Sequence, residues 1–310
     1  MNNSNPQHSA SPSTGYLFAL TSAVGSGLAT VIGKWNLESI PVLLMNSIVF
    51  TVATAALSVG WLPFVGVKKA FCLSRQGWRW VMLFTVTSVL AVWAFWAGVK
   101  RMDPTLAAFL NRAEVPIVIL MGILFLRERF TRYETLGLGL SLVGIVTMKL
   151  TLRWEYSLGF WYVLLGAVLF GLTEFVSKIA VRHVPPVTLA YLRNMLLAVI
   201  YWLMFMAGGD SCQGLEKVWP GVLALGLIGP IMARMMYLLA LKRMDLSKVA
   251  VISQSQPVYV VLISLLALGQ LPTVRETFGG VFLVVGCVLM IFGRARPTAP
   301  TINRPGVPVR

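Results

Sequence analysis

Charge is scarce in this chain. Only 12% of its 310 residues are Asp, Glu, Lys or Arg, about half of the roughly 25% found in soluble domains. A chain of this length with so little polar surface cannot hide its apolar residues in one or two water-soluble cores. Histidine and cysteine are sparse too, at two and three residues. No HExxH, P-loop or zinc-type Cys/His spacing occurs, so neither a metal site nor a catalytic signature is read, no enzyme activity is indicated and no cofactor is expected. Cys72 and Cys212 fall in loops and Cys287 in an apolar run, a distribution that excludes a structural disulfide. Lys and Arg are missing from the first fourteen residues, so a cleavable leader with its charged start is not expected there.

What the chain does have is apolar sequence. Hydrophobic residues make up 57% of it, the mean hydropathy is +0.78, and a bilayer is where such residues go. A helix needs about 20 apolar residues to cross a hydrocarbon core of roughly 30 Å. Runs of that kind predict ten transmembrane helices near 16–33, 41–62, 78–98, 105–126, 133–150, 158–177, 187–207, 218–240, 246–269 and 274–293. The polar ends, 1–14 and 294–310, read as disordered cytoplasmic tails.

The net charge of +15 could suggest nucleic acid as a partner, but the basic residues sit in short clusters between apolar runs rather than along one face. That is how membrane proteins use Lys and Arg. Sixteen of the 26 fall on the side holding both termini and seven on the other, while Arg112, Arg193 and Arg234 lie inside runs. The excess of positive charge predicts cytoplasmic termini and a multi-pass protein of the plasma membrane, or of the inner membrane in a bacterium.

The chain repeats itself at a shift of about 142 residues. Lys100-Arg101-Met102-Asp103 recurs as Lys242-Arg243-Met244-Asp245, and Glu134-Thr135-Leu136-Gly137 matches Glu276-Thr277-Phe278-Gly279. Near the start of each half, Gly15, Gly27 and Lys34 match Gly159, Gly171 and Lys178. Each half, 15–151 and 157–293, contains five runs. Five is odd, so the second copy enters the membrane upside down, giving two inverted five-helix repeats about an axis in the membrane plane.

The detailed pattern resembles the drug/metabolite transporter superfamily, and within it the EamA domain family with one domain per half. The residues that carry the resemblance are Leu106-Ala107-Ala108, Glu114-Val115-Pro116, Leu126-Arg127-Glu128-Arg129-Phe130-Thr131, Gly137 and Gly144. In the second half they are Val249-Ala250-Val251, Gln256-Pro257-Val258, Leu268-Gly269-Gln270-Leu271-Pro272, Gly279 and Gly286. Gln270 stands where such domains usually carry a Glu, as the first half does at Glu128. The resemblance implies an all-α transporter whose fifth and tenth spans stand outside a central cavity. It also favours export of amino acids, related zwitterions or drug-like compounds.

Polar groups within the runs are the candidate site, because an ionisable residue costs about 2.5–3.5 kcal/mol at a span centre even on the lenient scale. In the fourth run Asn111 and Glu114 share a helical face, and their repeat equivalents in the ninth are Ser253 and Gln256. On an unbroken helix Arg112 points nearly opposite Glu114, so each is expected to find its partner elsewhere. Arg193-Asn194 and Arg234 could neutralise Glu114 or bind a carboxylate or phosphate. Glu174 has Lys178 one turn on, in the order that favours an intrahelical pair. Glu114 and Glu174 are the proton-coupling candidates. Asn111, Arg112, Glu114, Arg193, Arg234, Ser253 and Gln256 are the expected substrate-binding residues, together with the aromatic Trp93 and Tyr237. The expected partners are a small-molecule substrate, the bilayer and protons. A carrier of phosphorylated sugars or nucleotide-sugars is the nearest alternative, and a membrane enzyme or lipid-handling subunit a more distant one.

Overall fold

Backbone facing lipid must satisfy its own hydrogen bonds, and the apolar runs accordingly fold as helices. The computed structural model describes residues 12–117, 131–151, 157–243, 252–269 and 273–295, with Leu120 and Val249. No strand occurs among them. The first half comprises α1 (Pro12–Leu37), α2 (Val42–Gly60), the short α3 (Leu62–Val65) and α4 (Val67–Phe71), α5 (Arg75–Lys100), α6 (Pro104–Asn111) and α7 (Arg132–Thr151). The second comprises α8 (Ser157–His183), α9 (Pro186–Gly208), α10 (Leu215–Arg243, with a π-helical stretch at Ile228–Met235), α11 (Gln256–Leu268) and α12 (Val274–Ala295).

Six of these, α1, α2, α5, α8, α9 and α10, are long and apolar enough to cross a membrane, and α7, α11 and α12 carry shorter apolar helices. The protein is a multi-pass membrane protein. The loop containing Glu128, its counterpart Gln270 and most of the two polar tails lie outside the described residues.

The repeated Lys-Arg-Met-Asp is a helix stop followed by a helix start. Arg101 donates from Nη1 to the Ala97 carbonyl at 2.7 Å, closing the end of α5, where the helix dipole also favours positive charge. The Asp103 carboxylate accepts from the Thr105 and Leu106 amides at 2.8 and 3.3 Å and so caps α6, whose first residue is Pro104. The second copy's Met244 and Asp245 lie outside the described residues.

Contacts between the halves obey a two-fold relation. α5 runs along α8, and its repeat equivalent α10 runs along α1. Arg101 stacks on the Tyr162 ring at 5.0 Å, and the equivalent pair, Arg243 on Phe18, stacks at 4.5 Å. Gly27 lets α1 approach Tyr259, and Gly171 lets α8 approach Ile117 in the same way. The tightest pair is α7 with α12. A Cβ on Gly137 would stand 2.5 Å from the Gly286 carbonyl oxygen, and one on Gly144 would stand 2.6 Å from that of Gly279. Such backbone-to-backbone approach is the small-residue packing used between membrane helices, where dispersion replaces the hydrophobic effect. The other faces of α7 and α12 expose Leu142, Val146, Phe278, Val281 and Phe292, as lipid-facing surface does.

Gly144→Val should therefore destabilise the protein by roughly 1–3 kcal/mol, the usual cost of overpacking. Gly139, where an added Cβ would meet no atom within 4 Å, should accept Ala without loss. Thermal unfolding in detergent distinguishes the two, and equal melting temperatures for both variants would refute the packing account.

Candidate functional site

The fourth and ninth runs are not single helices. α6 ends at Asn111, a turn follows at Arg112–Ala113, and helix resumes at residues 114–117. In the second half residues 252–253 are helical, a turn falls at Gln254–Ser255, and α11 begins at Gln256. Both breaks sit at repeat-equivalent positions, and proline is the cause. Pro116 and Pro257 have no N–H to offer the carbonyls four residues back, which belong to Arg112 and Ser253. The freed carbonyls turn to other donors, that of Arg112 partly to the Val115 N–H of its own turn at 3.1 Å. Ser253 accepts from Arg112 Nη1 at 3.1 Å, and Arg112 accepts from Cys287 Sγ at 3.3 Å. Broken helices of this kind are tolerated at membrane depth where protein re-satisfies the backbone.

The break also corrects an expectation. On an unbroken helix Arg112 and Glu114 diverge, but the turn swings them together into an ion pair of 3.3 Å. Arg112 is thereby engaged on three sides, because its Nη2 donates to Gln256 Oε1 at 2.7 Å. Gln256 in turn donates from Nε2 to Thr30 Oγ1 at 3.4 Å. Thr30 is the repeat equivalent of Glu174, a relation the sequence contained but hydropathy did not single out. Asn111 is buried, and its Oδ1 accepts no hydrogen bond among the described residues.

A second correction concerns Glu174. It pairs with Arg234 of α10 rather than with Lys178 on its own helix. An i, i+4 pair brings only a few tenths of a kcal/mol, whereas α10 brings a largely buried guanidinium to the same carboxylate, where a charge-assisted bond is stronger. Arg234 lies in the π-helical stretch, whose extra residue per turn re-aims side chains. Its Nε and Nη2 are buried and have no acceptor among the described residues.

Arg193 of α9 is 4% exposed and has no carboxylate partner among the described residues. Its Nε donates to Ser88 Oγ at 2.8 Å and its Nη1 to Asn194 Oδ1 at 3.2 Å. The Phe50 and Phe84 rings flank it at 5.6 and 5.3 Å, and Arg234 stands over the same Phe84 ring at 5.3 Å. Sequence reasoning missed Ser88, Phe50 and Phe84, because nothing in a single run marks which apolar residue will meet a distant arginine.

These groups surround one cavity of about 300 Å³ between the halves. Its wall takes residues from α1, α2, α5 and α6 and from α8, α9, α10 and α11. Among the described residues α7 contributes none and α12 only Ile291. Asn111, Arg112, Glu114, Glu174, Arg193, Arg234, Tyr237, Ser253 and Gln256 all reach it. Trp93 does not line it, because α5 packs on α8 and turns that ring edge-on to Tyr162 at 5.7 Å. Trp96, one turn further, forms part of the wall instead.

The two ends of the cavity differ. Beyond Trp96, Lys34 Nζ donates to the Lys100 carbonyl at 3.1 Å, and Lys100 Nζ donates to the Ile40 carbonyl at 3.1 Å. These bonds tie α1, the α1–α2 turn and α5 together. The repeat equivalents Lys178 and Lys242 form no such tie among the described residues, and Lys178 lines the cavity.

A cavity walled by two inverted copies, with broken helices at its middle, defines a solute carrier architecture. Residues 13–150 and 157–292 each match the sequence model of the EamA-like transporter family, and the chain belongs to that family. An uncharacterized transporter of Synechocystis sp. is 21% identical over 234 residues, which are 70% of this chain and 66% of that protein. A solved crystal structure shares the fold with a TM-score of 0.67 at 20% identity, covering 90% of this chain and 98% of the other.

Proposed function

We propose that the protein is a secondary transporter that moves a small organic solute, amino acid-like or drug-like, out of the cytoplasm by alternating access. The observation that carries this reading is the unlike state of two equivalent ends. The lysine tie between α1 and α5 is made at Lys34 and Lys100, while its inverted copy, Lys178 and Lys242 on α8 and α10, is open. Inverted repeats interchange their conformations, so the opposite state has the second tie made and the first broken. Positive charge favours cytoplasmic termini, and on that orientation the open end faces the cytoplasm.

Glu114 and Glu174 are the coupling candidates, since each holds an arginine that borders the cavity. Proton release or uptake at either changes the charge that a solute meets. In proteoliposomes, a panel of amino acids, organic acids and drug-like solutes should include at least one whose flux responds to a pH gradient. Glu114→Gln with Glu174→Gln should abolish that response while flux down the solute's own gradient persists. An unchanged pH response would remove proton coupling, and no flux of any solute would remove transport.

A further inference from the structure

We propose that the cavity selects organic monoanions and that Arg193, with Arg234 beside it, binds their carboxylate. The inference rests on the transport reading for its biological meaning but is tested by binding alone.

Charge at the cavity wall does not balance. Among the described residues four cations and two carboxylates line the cavity: Arg112, Lys178, Arg193 and Arg234 against Glu114 and Glu174. Arg112 is matched by Glu114 and held by Ser253 and Gln256. Arg234 is matched by Glu174. Lys178 is exposed at the open end and keeps its water. One full charge remains, on buried Arg193. Aromatic faces and a hydroxyl ease it but supply no counter-charge, and an uncompensated buried ion is costly.

Unused donors remain on both arginines. Arg193 Nη2 has no acceptor among the described residues, and neither do Arg234 Nε and Nη2. Arg193 lines the cavity, so its fork is the one a carboxylate can take up there, while Arg234 adds a second positive group over the same Phe84 ring. A surplus of one charge suits a carboxylate better than a phosphate dianion. Phe50, Phe95, Trp96 and Phe170 complete the wall and accept an apolar body. The volume, about 300 Å³, lies at the small end for ligand cavities.

The test uses the purified full chain in detergent and measures affinity from thermal stabilisation. The probes are 3-phenylpropionate, its amide, 3-phenylpropylamine and phenyl phosphate. The carboxylate should bind at least tenfold tighter than the amide and phenyl phosphate, and the amine should bind weakest. Arg193→Gln should erase the preference for carboxylate over amide without weakening the amide, and Arg193→Lys should restore part of it. Equal or tighter binding of the amide, amine or phosphate by the natural chain overturns the proposal, as does binding of none. An unchanged ratio in Arg193→Gln also overturns it, and the natural chain's own series decides if that variant does not fold. Carboxylate binding without flux leaves this inference standing and defeats transport; flux of amines but not carboxylates does the reverse.

Discussion

Arg112→Gln is expected to lower stability by about 3–5 kcal/mol, the usual cost of stranding one partner of a buried ion pair. The variant leaves Glu114 without its counter-charge and the Ser253 carbonyl without its donor. It also loosens the junction between the two broken helices, because Gln256 loses the guanidinium that ties it to the first half. Adding Glu114→Gln should recover a large part of the loss, since two neutral amides can share a hydrogen bond where one stranded carboxylate cannot. Unfolding in detergent across the four-member cycle measures the coupling. Additive losses, with no recovery in the double variant, would show that Arg112 works through packing alone.

The lysine ties should give effects of opposite sign. A hydrogen bond from a charged donor is worth about 1.5–3 kcal/mol, so losing one shifts a two-state equilibrium roughly ten- to a hundredfold. Lys34→Met breaks the tie that is made here and should favour the state open at that end. Lys178→Met removes the donor of the inverted tie and should hold the protein in the present state. The readout is alkylation of a cysteine introduced at cavity-lining Tyr237, with exposed Cys72 and Cys212 replaced. The rate should fall in Lys34→Met and hold or rise in Lys178→Met. Shifts in the same direction for both variants are incompatible with exchange between inverted repeats. Steady flux should fall about tenfold or more in each, because a carrier caught in either state cannot complete a cycle.

The membrane setting was legible from composition, and the inverted pairing from one tetrapeptide and an odd number of runs per half. Most of the candidate site was legible for a related reason. Lipid penalises every mid-span charge, so Arg112, Glu114, Glu174, Arg193 and Arg234 stand out against an apolar background. Partnerships were not legible. Helical spacing set Arg112 against Glu114, because a continuous helix was assumed, and Pro116 acts on the carbonyl of Arg112 rather than at its own position. Likewise Lys178 looked like the partner of Glu174 until α10 placed Arg234 nearer in effect. The same blindness put Trp93 in the wall, where the crossing of α5 with α8 leaves only Trp96.

The sequence by itself determined that this chain lives in a bilayer, that it is two copies of one unit, and which residues would be costly to bury. Those are properties of each residue and its near neighbours, read against the thickness and dielectric of lipid. Only the tertiary structure decided how the costs are met: where the helices break, which arginine finds a carboxylate, and which of two equivalent lysine ties is closed. The breaks and the Arg112–Glu114 pair follow from proline nearby, but the Glu174–Arg234 pair and the lysine tie are settled between residues 60 or more apart, by contacts that depend on the crossing of whole helices. No local pattern encodes that crossing, and the one charge left over at Arg193 becomes visible only after every other pair has been matched.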